Sequence, residues 1–426
     1  MTATAGARAP RTGRGPLTDL LTGGGRTRRV MWLVLAALVV LSLVRVVSGE
    51  EALTSASTLR AALLLAVPIG LAALGGLWSE RAGVVNIGLD GMMILGTWGA
   101  GWAGYQWGWA AAVLGGLLFG VLGGLLHAVA TVTFGVDHVV SGVAINILAA
   151  GVVRFLSELF YTDNPAGGGV TQSPPVAGDP PSFSLPVLSS GPDLLGTLER
   201  QQWFLLSDLA GIAKGLTSGF GVLTLLAVLL VPVSWLVLWR TAFGLRLRSC
   251  GENPAAADSL GVPVYRLKYV AVMISGGLAG LGGVFLVFIA DIYREGQVNG
   301  RGFIGLAALI FGNWRPGGLA AGAGLFGYAD ALQLRSRTAV VALLLLVALL
   351  LLAVAVWQAV RRRPVRAALS AVVAVAAFVA WAVVEELPPG IVSFTPHLTT
   401  LLVLSLASQR LRMPKADGLV YRRGEH

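Results

Sequence analysis

An all-α fold, built as a polytopic bundle of about 10–12 transmembrane helices, is what this sequence predicts. Three observations carry that expectation. Of the 426 residues, 55% are hydrophobic and only 12% charged, against about 25% charged in a soluble domain. Apolar runs of about 18 residues or more recur along the chain, each long enough to cross a hydrocarbon core as a helix. The basic residues, which give a formal net charge of +10, collect at the ends of those runs. That placement is a topological signal, and it removes nucleic acid as the reason for the positive charge.

The elements follow in chain order. Residues 1–29 hold six Arg and one Asp and read as a disordered basic cytosolic tail. The run 30–48 is long, and many spans follow it, so it reads as a retained helix and not a signal peptide. With a short outer loop it makes an extra N-terminal unit, 30–57. Further spans are expected at 58–78, 84–105, 107–126, 137–160, 219–239, 268–290, 317–333, 338–358, 366–384 and 396–409. The stretch 302–312 is too short to span unaided and reads as a half-helix, turned into the next span by "NWRPGG" (313–318). Pro316 and the paired glycines break helical backbone there, which a membrane tolerates only where protein or water satisfies the freed groups.

Charge counting sets the orientation. With the N-terminus in the cytosol, the loop 240–268 falls inside with Arg240, Arg246, Arg248, Arg266 and Lys268. "RRRPVR" (361–366) and the tail from Gln409 also fall inside, so both termini are expected to be cytosolic. Arg335 and Arg337 land outside and are the exceptions. The segment 161–218, with "NPAGGG", "SPPVAGDPPS" and "SSGPD", reads as an extracytoplasmic Pro/Gly-rich loop without a core of its own. Glycine, 57 residues in all, is abundant inside spans, as in "LGGLLFGVLGGLL" (114–126) and "SGGLAGLGG" (275–283). Small residues let helix backbones approach closely, so a tight bundle is expected.

Several chemistries are excluded. A single cysteine, Cys250, leaves no internal disulfide and no CxxC motif. Four scattered His residues give no zinc pattern, and no GxxxxGK[ST] stretch supplies a phosphate-cradling loop. Polar residues inside spans remain as candidates. An Asp near a helix centre costs about 2.5–3.5 kcal/mol to insert, so Asp90, one helical turn after Asn86, needs a reason. The pair either bonds neighbouring helices together or lines a route for a polar solute. Ser141 and Asn146 carry the same two readings. Asp330 and Gln333, three residues apart, line a pathway or pair with Arg335. Glu80 and Arg81 pair at a helix end. The aromatic run 98–109 marks the outer membrane interface, or offers a stacking face for a nucleobase.

The longest cytosolic loop is ordered. In "GENPAAADSLGVPVYRLK" (251–268), Asn253 suits an N-cap, Pro254 the first helical position, and Gly261 the stop. A two-turn helix at the membrane surface follows, either a plain connector or a docking element for a cytosolic partner.

That stretch resembles the cytosolic coupling segment of ABC importer permeases of the branched-chain amino acid, ribose and nucleoside group. "ERAGVVNIGLDGMMILG" (80–96), "DHVVSGVAINILAAG" (137–151), "GRGFIGLAALIFGNWRPGG" (300–318) with "FGYADALQL" (326–334), and the C-terminal 396–421 resemble its nucleoside members. The resemblance covers most of 58–337 and 385–421. It implies a type II-like ABC importer permease fold in the bacterial plasma membrane, with a core over 58–337 and a last helix and tail over 385–426. It further implies that the chain does no covalent chemistry and holds no cofactor, ATP and Mg being bound by a partner ATPase. The implied partners are that cytosolic ATPase, a second permease completing a heterodimer, and an extracytoplasmic solute-binding lipoprotein. Arg246, Gly251, Glu252, Asn253, Pro254, Ala256, Ala257 and Gly261 are the implied ATPase-coupling residues. Three departures from the pattern stand out: Asp90 in place of Glu, the extra span 30–48, and 338–384 as an inserted transmembrane hairpin. The alternatives are a sugar or branched-chain amino acid permease of the same fold, an ion-coupled carrier using Asp90, and an integral-membrane transferase. The last lacks the Asp-rich or His-bearing loop motifs such enzymes carry.

Overall fold

The computed structural model describes residues 25–183, 193–384, 386–388, 390, 395, 411–422 and 424. The span expected at 396–409 and residues 1–24 of the basic tail lie outside them. In chain order the helices are α1 (Gly25–Ser48), α2 (Ala56–Arg81), α3 (Leu89–Trp107), α4 (Trp109–Ala128), α5 (His138–Tyr161), α6 (Leu194–Arg200), α7 (Leu206–Thr217), α8 (Val222–Arg240), α9 (Ala242–Glu252), α10 (Pro254–Ser259), α11 (Val264–Ala290), α12 (Arg301–Phe311), α13 (Pro316–Arg335), α14 (Arg337–Val360) and α15 (Pro364–Val383). A π turn, Val129–Thr133, prolongs α4. The pairing of β1 (Ser182–Phe183) with β2 (Phe220–Gly221) ties the base of the long loop.

Seven of the described helices, α2, α4, α5, α8, α11, α14 and α15, are long and apolar enough to cross a membrane. Helices α3 and α13 have 19 and 20 residues, but Gly, Trp and polar side chains dilute them. Burial of α3 over most of its length explains why it can be less apolar, since a helix enclosed by other helices does not face lipid, whereas α13 is buried along one face. Helices α2 and α11 form the centre, buried over 78% and 72% of their apolar stretches, whereas α15 is buried over only 11% and lies at the periphery.

Glycines four residues apart set that centre. Gly116, Gly120 and Gly124 of α4 face Gly276 and Gly280 of α11, and Gly96 of α3 meets the same crossing. A Cβ placed at Gly276 would stand 2.3 Å from the Gly120 carbonyl oxygen. Only glycine allows backbones this close, and the dispersion attraction between them holds the bundle where no hydrophobic drive exists between helices.

The long loop holds more structure than its composition suggests. Asp193 caps α6 by accepting from the Gly196 N–H at 3.0 Å. Helix α7 lies on the start of α2, where Gly211 and Gly215 bring it against the backbone of Thr54 and Ala56. Arg45 of α1 and Asp208 of α7 form an ion pair at 2.7 Å, only 6% and 2% exposed, and Thr54 Oγ1 donates to the same carboxylate. The extra N-terminal helix is thereby fastened to the loop. The aromatic run divides in two: Trp98 is core, its Nε1–H donating to Ser157 Oγ at 3.0 Å, while Trp107 is exposed.

Candidate functional site

The expected span 84–105 is interrupted. Gly83 takes φ +81° and ends the turn after α2, and the chain runs without helix through Val84–Asn86 before α3 begins at Leu89. Asn86 and Asp90 therefore do not share a helical face, which corrects the four-residue spacing argument. Asn86 lies in the break, fully buried, and its Nδ2 donates to Ser275 Oγ at 2.9 Å and to Met92 sulfur. Its Oδ1 has no hydrogen-bond partner among the described residues. Asp90 sits in the first turn of α3.

Asn146 and Ser141 also reach this break. Asn146 accepts from the Gly91 N–H at 2.7 Å and donates to the Ile87 carbonyl at 3.1 Å, so one amide satisfies both sides of the α3 start. Ser141 bonds His127 Nδ1 at 2.9 Å, and the other ring nitrogen meets the Val85 carbonyl at 3.0 Å. A carbonyl only accepts, so Nε2 carries the proton and Nδ1 accepts from the Ser141 hydroxyl. His127 and Ser275 were not found from the sequence.

Asp90 joins the break to the half-helix. Its Oδ1 accepts from the Gly302 N–H at 2.9 Å, satisfying one of the four open donors at the start of α12. Two helices thus begin beside one carboxylate, an arrangement that suits its charge. A Cβ at Gly302 would stand 2.4 Å from Asp90 Cα, so glycine is required there. Arg301, also missed from sequence, pairs with Asp330 at 2.6 Å, and Gln333 Nε2 donates to the same carboxylate. The expected partner of Asp330 was Arg335; five residues on, a helical side chain points about 140° away, and Arg335 instead lines a cavity of about 510 Å³ with Arg60, Glu199 and Lys214. Glu80 likewise bonds Trp314 Nε1 and not Arg81, whose Nη2 donates to the Trp314 carbonyl at 2.6 Å.

The loop 240–268 is built of α9 and α10. Asn253 Oδ1 accepts from the Ala256 N–H at 3.0 Å, Pro254 opens α10, and Gly261 takes φ +81° just after it. Arg246, Glu252, Asn253, Ala256 and Gly261 are exposed, Pro254 is half-buried, and Gly251 and Ala257 face inward. Leu260, 85% exposed, and Leu245 add an apolar surface that sequence reading passed over. Gly251 is pressed against the end of α2: a Cβ there would meet the Arg81 carbonyl oxygen at 2.4 Å. Residues 411–422 cover this seam. The Ala416 N–H donates to the Gly251 carbonyl at 2.9 Å, and the Arg412 N–H to Asn313 Oδ1 at 2.6 Å. Asp417 is buried near Glu80, and burial followed by that neighbouring carboxyl raises its pKa. Among the described residues no group of three His, Cys, Asp or Glu side chains stands in metal-binding geometry.

Residues 58–356 match the family described as the branched-chain amino acid transport system permease component. The chain belongs to that family. It is 39% identical to the guanosine ABC transporter permease protein NupQ of Bacillus subtilis over 64% of this chain and 81% of the relative. It is 31% identical to the nucleoside ABC transporter permease protein NupC of Lactococcus lactis over 84% and 94%. A Haloferax volcanii permease provisionally named for glucose, TsgC13, is 31% identical over 85% and 96%. No solved structure matches. With seven apolar helices among its described residues, the chain is a multi-pass ABC permease of the bacterial plasma membrane.

Proposed function

We propose that the chain is the membrane subunit of an ATP-driven nucleoside importer and forms half of the translocation pathway. The observation that carries this reading is the 39% identity to a guanosine permease across most of that relative's length. A second permease completes the pathway, an extracytoplasmic lipoprotein delivers solute, and a separate ATPase hydrolyses ATP on the cytosolic side. The ATPase docks on Gly251–Gly261 with Arg246, using the exposed face of α10 and the apolar Leu260. Movement passes from Gly251 to the end of α2, through the break at Val84–Asn86, and on to Asp90 and α12. Asn86, Asp90, Ser141 and Asn146 position that break, while Asp330 and Gln333 face the solute with Arg301. The basic loop 240–268 supports cytosolic placement of that end and of both termini. The core spans 58–337, with the α14–α15 hairpin an appendage outside the pathway.

Uptake of labelled guanosine in cells lacking nucleoside import, with the partner subunits co-expressed, tests this reading. Guanosine accumulation that requires an intact ATPase is expected, and accumulation that follows an ion gradient instead would refute it. Replacing Ala255–Ala257 by bulky acidic residues should abolish ATPase co-purification while membrane insertion continues. The likeness to TsgC13 across 96% of its length favours a sugar as the second reading, and glucose belongs in the same uptake panel.

A further inference from the structure

We propose that Gln297, Arg301 and Gln333 form a subsite for a neutral, hydrogen-bonding solute, resting on the importer reading above. Three bonds lock the group together. Arg301 pairs with Asp330 at 2.6 Å, with side chains only 14% and 7% exposed. Its Nη1 donates to the Gln297 carbonyl at 3.2 Å, and Gln333 Nε2 donates to Asp330 Oδ1 at 2.5 Å. Gln297 is itself held, its Oε1 accepting from the Arg294 N–H at 2.8 Å.

After those bonds, three buried atoms have no partner among the described residues: Gln297 Nε2, Arg301 Nε and Gln333 Oε1. Buried polar atoms in native proteins are almost always satisfied, so each such atom calls for an occupant. Two are donors and one is an acceptor. The charge of Arg301 is already met by Asp330, and Asp90 is already engaged by Gly302. An anion would therefore find no unpaired cation among Gln297, Arg301 and Gln333, and a zwitterionic amino acid no free pair of charges among them. A neutral molecule offering both acceptors and donors fits, such as a nucleobase edge or ribose hydroxyls. Gly302, next to Arg301, rests on Asp90, so occupancy of this subsite would be felt at the junction of α3 and α12.

The test uses the assembled importer in proteoliposomes, with labelled guanosine, glucose, leucine and guanosine 5′-monophosphate as probes. Wild type should take up guanosine and neither the monophosphate nor leucine. Gln297→Ala and Gln333→Ala should each raise the guanosine concentration for half-maximal uptake about three- to tenfold, with the ATPase still co-purifying. Arg301→Lys keeps a cation for Asp330 and removes the Nε donor, and should act in the same direction. Ser370→Ala, in the peripheral hairpin, is the control and should shift nothing. Unchanged half-saturation in both glutamine variants would overturn the subsite and leave ordered water as its occupant; these two decide should Arg301→Lys fail to assemble. If wild type takes up glucose and the variants shift glucose, the nucleoside reading fails while the subsite stands.

Discussion

Gly280→Ala turns the packing of the bundle into a measurable quantity. A Cβ on Gly280 would stand 2.3 Å from the Gly116 carbonyl oxygen and 2.8 Å from Gly120 Cα, both backbone atoms that cannot swing aside. Ordinary contact begins near 3.4 Å, so α4 and α11 would have to part by about 1.1 Å at their crossing. Against this, alanine is the better helix former by about 1 kcal/mol. Overpacking of this kind costs about 1–3 kcal/mol. Gly151 of α5 and Gly324 of α13 separate the two effects, because a Cβ there would meet nothing within 4 Å. Gly280→Ala should lie about 1–3 kcal/mol below Gly151→Ala and Gly324→Ala in stability. The assay is thermal unfolding of the purified complex in detergent, read as the fraction left monodisperse after heating. Equal stability of the three variants would refute the close approach of these backbones.

Asp90→Asn keeps an acceptor for the Gly302 N–H and should retain most transport, whereas Asp90→Ala loses a bond worth about 1.5–3 kcal/mol and should lose most of it; uptake rates compare the two. The raised carboxyl of Asp417 favours the protonated form in the folded state. Docking of 411–422 is then strongest at low pH and weakens as pH rises past the ordinary carboxylate value of 3.8. Asp417→Asn should flatten that slope, measured as hydrogen-exchange protection of those residues between about pH 5 and about pH 8. Burial pushes the Cys250 thiol up to about 11, so maleimide labelling at neutral pH should be slow. Deleting residues 411–422, whose Tyr421 packs beside it, should speed the labelling.

Hydropathy made the membrane helices legible because lipid imposes one requirement on every lipid-facing position. It could not show where α3 begins. A positive-φ glycine at Gly83 and a capping glycine at Gly88 look, in sequence, like two more small residues in a span. The polar residues Asn86, Asp90, Ser141 and Asn146 were visible as anomalies, yet their partners, Ser275, Gly302, His127 and the backbone of Ile87 and Gly91, are brought near only by the fold. Arg301 was hidden at the edge of an apolar run that drew attention to its glycines. Helix α7 escaped notice because Pro- and Gly-rich neighbours dominate its loop, although Gly211 and Gly215 stand four apart like the glycines of the core. The Asn253 cap and the Gly261 stop were legible because both act within one short stretch.

Residues 411–422 leave the ribosome after every helix described, and they close the seam between α2 and α9. A nascent chain can therefore insert α1 to α15 while the Gly251 carbonyl still lacks its partner. The proposed ATPase would meet a finished docking surface only once translation has passed this segment. Synthesis of this segment thus becomes a checkpoint for assembly. Frameshifts between α15 and this segment would yield well-inserted but uncoupled subunits, and fusions within this segment should be expected to do the same.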